Sequence, residues 1–138
     1  MKLSIAYIST AARILSGIKL NRIQDKDAKA ALLKDYLALR KVAKDAEAEK
    51  GEIIRKFQDD WADELKAVQA FRDKGEKVVG HDDYLDAEKD ANKAISDIFS
   101  APVDIDLSPA KIDALIDFSE DITLEQIAFL EDCGIIEK

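Results

Sequence analysis

The residues in this chain best equipped for chemistry are gathered at His81-Asp82-Asp83, followed by Asp86 and Asp90. On a helix, carboxylates at i, i+3 and i+7 lie along one face, and hard divalent cations take oxygen ligands. A metal-dependent hydrolase built on that His-Asp pair would need several further histidines, and this chain has one. The plainer reading is a solvated helix start whose acids, Asp82, Asp83 and Asp86, complement the helix dipole. Asp59, Asp60, Asp63 and Glu64 around Trp61 form a second acidic patch, and it too reads as a solvated face. A general acid and base would require two carboxyls at a defined separation, one of them lifted by an apolar pocket; no spacing here fixes such a pair. Cys133 follows Glu131 and Asp132, acids that raise a thiol pKa and make a poor nucleophile. As the lone cysteine it cannot form an internal disulfide. The five glycines stand singly at 17, 51, 75, 80 and 134, so no glycine loop cradles a phosphate. The expectation is a protein without catalytic, cofactor-binding or metal-ligating residues and without a small-molecule substrate.

Composition points the same way. A chain of 138 residues supplies one core, and with 47% hydrophobic residues, 36% charged residues, 5 glycines and 2 prolines it reads as folded and rich in helix. The formal net charge of -8 is unevenly laid out: residues 1–57 hold 13 Lys/Arg and 7 Asp/Glu, whereas residues 58–138 hold 8 and 22. A basic N-terminal part packing beside an acidic C-terminal part, or copies associating head to tail, accounts for this layout. The sharper alternative is an acidic surface that competes with nucleic acid for a basic partner. Lys26, Lys29, Lys34, Arg40, Lys41, Lys44, Arg55 and Lys56 are the cations a phosphate track would use, but Asp27, Asp35, Asp45, Glu47, Glu49 and Glu52 interleave with them, which disfavours nucleic acid. Charges recur every few positions, so no stretch reaches the roughly 20 apolar residues of a membrane span. Ser4, Ser9, Thr10 and Arg13 interrupt the run a secretory signal requires. Residues 1–24 carry no acid, a loose likeness to a transit peptide or a membrane-surface helix, but an ordinary first core helix is preferred. The expected setting is the cytoplasm, with no membrane contact.

The elements follow from spacing. Ser4 caps a first helix in which Tyr7, Ile8, Ala11, Ile14, Leu15 and Ile18 recur at helical intervals, ending near Gly17. From Asp27 to about Asp73 the chain has one glycine and no proline and reads as a single long helix, about 70 Å at 1.5 Å per residue. Its stripe of Leu32, Tyr36, Leu39, Ala43, Ala46, Lys50, Ile53, Phe57, Trp61, Leu65 and Val68 resembles a coiled-coil seam, with a slip of one residue between Phe57 and Trp61. Gly51 is a point where the helix either flexes or breaks. Asp73-Lys74-Gly75 and Gly80-His81-Asp82 reverse the chain, and a second helix from Asp83 to Ser100 packs back, antiparallel, on the Phe57 to Val68 half. Val103 to Leu107 alternates apolar and acidic residues, the pattern of a short extended segment. Ser108-Pro109 reads as the cap and first residue of a helix through Ile112, Leu115, Ile116 and Phe118. Thr123 to Gln126 has the capping-box pattern and opens a last helix closed by Gly134. The architecture expected is all-α: one domain over 1–138, with an N-terminal helix (1–20), a long helical hairpin (27–100) and a small helical unit (103–138).

This plan, with Val103-Asp104-Ile105-Asp106-Leu107-Ser108 and Leu124-Glu125-Gln126-Ile127-Ala128-Phe129-Leu130 at its end, resembles small helical proteins of phages and prophages. The resemblance implies a bacterial host cytoplasm or a phage particle, and a part in particle assembly, packaging or control of the host. It assigns no residue a role. The residues themselves suggest a non-enzymatic interaction protein that works through its long helix or by self-association, with Leu32, Tyr36 and Leu39 exposed for the purpose and Phe57 and Trp61 as anchors. The alternative, an acidic inhibitor of a basic host protein, would use Asp82, Asp83 and Asp86.

Overall fold

The computed structural model describes residues 1–113 and 122–138. They are mostly helical, and the chain forms two compact units, one from residues 1–45 with 100–138 and one from residues 46–99. The first helix and the first part of the long helix are therefore grouped with the C-terminal segment, and the rest of the hairpin, residues 46–99, forms the other unit.

In the first unit, β1 (Lys2–Ser4) leads directly into α1 (Ile5–Ser16). The Tyr7 N–H donates to Ser4 Oγ at 3.2 Å, the cap that the sequence announces. The extended segment after Pro102 finds its partner here. β2 (Pro102–Asp104) pairs antiparallel with β1, setting Leu3 opposite Val103. A 3-10 turn (Leu20–Arg22) separates α1 from α2 (Lys26–Asp60). Asp25 starts α2, its Oδ1 accepting the N–H groups of Asp27 at 2.9 Å and Ala28 at 3.4 Å.

The helix expected to open at Pro109 does not begin there, and helical geometry is first reached at Ile112. Ala110–Lys111 is not the first turn of a helix but a strand, β3, paired parallel with β4 (Ile136–Glu137). Proline at a first helical position tolerates either outcome locally, since the missing N–H matters little in both; pairing with Ile136, more than twenty residues away, decides it. Leu115, Ile116 and Phe118, expected on the same helix, lie outside the described residues. The capping box forms as expected at α5 (Leu124–Asp132): Gln126 N–H donates to Thr123 Oγ1 at 3.2 Å and Thr123 N–H to Gln126 Oε1 at 2.9 Å. After α5, Gly134 adopts φ +77°, and a Cβ there would come within 2.9 Å of Met1 Cε, so both backbone and space favour glycine. The apolar core joins Ile8, Ala11 and Leu15 of α1 to Leu32 and Leu39 of α2, Ile105, and Leu130, Ile135 and Ile136.

In the second unit, α2 does not run on to Asp73. It ends at Asp60, Trp61 leaves the helical region at φ -123°, and α3 (Ala62–Asp73) begins afresh. The break falls at the slip in the apolar stripe and not at Gly51, which lies inside α2 with nothing within 4 Å of its missing Cβ. Gly75 and Gly80 take positive φ in the reversal, and α4 (Asp82–Ser100) follows. Tyr84 near its start packs on Phe57 and Trp61, with ring centroids 5.2 Å and 6.0 Å away. Near its end, Phe99 lies under the Lys50 ammonium, 5.9 Å from the ring centroid. α4 therefore runs antiparallel to the second half of α2, as a helical hairpin does. Arg72 clamps it from α3 with two hydrogen bonds to the Glu88 carboxylate, at 2.7 Å and 3.0 Å. No helix among the described residues is long and apolar enough to cross a membrane.

Candidate protein interface

The inward arc of α2 in the first unit is set by Ala28, Leu32, Asp35 and Leu39, all buried. Leu32 is 2% exposed and Leu39 0%. These two residues, expected to be free for a partner, are instead core residues of their own unit, because α1 and the C-terminal segment supply the cover that a lone helix would lack. Tyr36 is half-buried. Phe57 and Trp61 are also partly covered, by Tyr84 of α4.

What α2 leaves to solvent is the opposite side. Leu33 is 43% exposed and Leu37 53%, one helical turn apart. At 3.6 residues per turn, Lys26, Lys29, Ala30, Leu33, Leu37, Arg40 and Lys44 share a sector of about 100°. That sector holds two leucines and four cations and no acid, because Asp27 and Asp45 project to its flank and Asp35 points inward. None of these four cations makes an ion pair or hydrogen bond to another described side chain. Beside Leu33 and Tyr36 a cleft of about 150 Å³ opens against Leu15, Ser16, Ile18 and Leu20. An apolar notch beside two exposed leucines, rimmed by unpaired positive charge, can seat an aliphatic side chain and attract carboxylates around it.

Asp35 is the residue that sequence reasoning missed. Its carboxylate is 0% exposed, and Oδ1 accepts the Ser108 N–H at 2.8 Å while Oδ2 has no partner. Lys34 Nζ donates to Ser108 Oγ at 3.2 Å, so two adjacent residues of α2 hold the segment after Ile105. Burial pushes the Asp35 carboxyl above its ordinary value; the Ser108 N–H and Lys34 pull it down, and Asp106 adds to the rise. The signal was available: an acid at the centre of an otherwise apolar arc, spaced three and four residues from Leu32 and Leu39.

The remaining candidates are dispersed. Asp82, Asp83 and Asp86 are exposed on the first turns of α4. Their outer face also carries exposed Lys89 and Lys93. His81 Nδ1 stands 4.0 Å from Glu64 Oε2, with the Phe71 ring 6.2 Å away. Among the described residues no three His, Cys, Asp or Glu side chains are grouped so as to hold a metal ion. Burial, with Asp132 adding to it, pushes the Cys133 thiol up to about 11.

Comparison with family models, with curated proteins and with solved structures finds no match to this chain.

Proposed function

We propose that this is a non-enzymatic helical assembly protein that binds an acidic, partly apolar protein surface through the outer side of α2 between Lys26 and Lys44. The observation carrying the reading is the pair of exposed leucines, Leu33 and Leu37, set in an acid-free cationic sector beside an apolar cleft. A phosphate backbone would use the cations and leave the leucines in water; a protein helix uses both. A role in phage particle assembly, in a bacterial cytoplasm or within the particle, is the setting that the sequence resemblance implies, and belongs to the same proposal. The acidic-inhibitor reading is weaker because Lys89 and Lys93 interrupt the acidic side of α4.

The test uses two labelled probes, a synthetic amphipathic helix of Leu, Ala and Glu and a single-stranded oligonucleotide of equal charge, titrated with the full chain by fluorescence anisotropy. The peptide is expected to bind, and Leu33→Gln with Leu37→Gln to weaken it roughly tenfold or more. Equal binding of the oligonucleotide, unaffected by the two substitutions, would refute the reading.

A further inference from the structure

The acid-free face of α2 has its chemical complement on the same chain. α5 turns Leu124, Glu125, Ala128, Glu131 and Asp132 to solvent, within a sector of about 120° at helical spacing. Leu124 is 85% exposed, the most exposed large hydrophobic residue among those described. α5 contains no Lys or Arg, so this face is as free of cations as the α2 face is of acids. Each presents leucine and alanine among charges of one sign, and the signs are opposite.

Within one molecule the two faces do not cover each other. α5 packs its other side on α1, where Phe129 meets Tyr7 edge-on at 5.5 Å, and leaves Leu124 in water while Leu33 and Leu37 are also exposed. We propose that the outer face of α5 docks on the outer face of α2 of a second copy of this chain, with Leu124 entering the cleft beside Leu33 and Tyr36. This deepens the proposed function by naming the acidic apolar partner, and it rests on that reading. Charge complementarity selects α5 as the occupant. Pairing α2 with α2 would bring Lys26, Lys29, Arg40 and Lys44 against their own kind, and like charges in register oppose association. The α4 face has acids but no exposed large apolar residue to fill the cleft. An interface between different faces is satisfied either reciprocally in a closed pair or successively in a longer array.

Two variants test the pairing with little risk to the fold. Arg40→Glu with Lys44→Glu reverses exposed positions within α2 using a good helix former. Glu131→Lys with Asp132→Lys reverses exposed positions in the last turn of α5, where cations suit the helix dipole. Each is checked by far-ultraviolet circular dichroism and weighed by light scattering. The wild-type chain is expected to self-associate, and to do so more weakly as salt screens the faces. Each variant alone is expected to be monomeric, and an equimolar mixture to recover a complex, because one variant retains an intact α2 face and the other an intact α5 face.

A mixture that stays monomeric while wild type associates overturns the α5 assignment. Wild type that associates, is dispersed by the α2 variant and is untouched by the α5 variant also overturns it, while leaving the α2 reading intact. A wild-type chain that is monomeric throughout overturns self-association; the peptide titration then decides the α2 reading independently. Binding of anionic vesicles or of the oligonucleotide with no self-association would assign the face to a different occupant and overturn the proposal.

Discussion

Leu39 and Leu37 stand two residues apart on α2, and replacing each by alanine separates the buried side of that helix from its outer side. Leu39 is 0% exposed, in a core shared with α1, Ile105 and α5, whereas Leu37 is 53% exposed. Truncating a buried leucine costs its transfer free energy and leaves a cavity, about 2–5 kcal/mol in total. Surface substitutions of this kind stay within about 0.5 kcal/mol. For a small domain the loss at Leu39 is a large share of the roughly 5–15 kcal/mol that holds it folded. Urea unfolding followed by circular dichroism reads the difference. With a slope of about 1–3 kcal/mol per molar urea, Leu39→Ala is expected to lower the midpoint by about 1 M or more, and Leu37→Ala to leave it nearly unchanged. Equal shifts, or a larger one for Leu37→Ala, would mean that α2 is turned differently about its axis. The outward face that supports the proposed interface would then be lost.

The buried carboxylate predicts a pH dependence. Because the folded pKa of Asp35 is raised, the native state binds more protons than the unfolded chain between the two values, and the contribution of this group to stability falls as pH rises through that window. Asp35→Asn is expected to remove that part of the decline, measured as the wild-type minus variant difference in unfolding free energy between acidic and neutral pH; a difference that rises with pH would contradict it. Cys133, buried with its thiol at about 11, is expected to resist iodoacetamide in the native protein at pH 8 and to react promptly in urea; fast native labelling would show an accessible thiolate. Thr123→Ala removes the side-chain half of the capping box and should cost about 1 kcal/mol, read as a lower melting temperature; no change would mean that the α5 cap is not carried by that hydroxyl.

The parts of the fold legible in the sequence are those that a few neighbouring residues specify. Ser4, the Thr123–Gln126 box and the apolar-acidic alternation after Pro102 all specify a cap or a strand within a few residues. The hairpin followed from the turn residues around Gly75 and Gly80. The long helix carried two local signals for a break, Gly51 and the slip of the stripe at Trp61: a glycine costs a helix interior only about 1 kcal/mol, which a 35-residue helix absorbs, and the helix ends at the slip. β3 was unreadable because its pairing with β4 is long-range. Leu32 and Leu39, expected to be exposed for a partner, are buried for a related reason. A stripe such as Leu32, Tyr36 and Leu39 records that a helix is covered, without saying whether its own chain or another does the covering. Here Ile8, Leu15 and Leu130 share the core with Leu32 and Leu39, and Leu33 and Leu37 remain exposed on a face without acids.

The most direct test of the account is the solution mass of the full chain across concentration at low and high salt, for wild type and for Leu33→Gln with Leu37→Gln. The account predicts a wild-type mass that climbs above 15.3 kDa with concentration and falls with salt, and a variant that stays at the monomer mass. A variant that associates as strongly as wild type would contradict it.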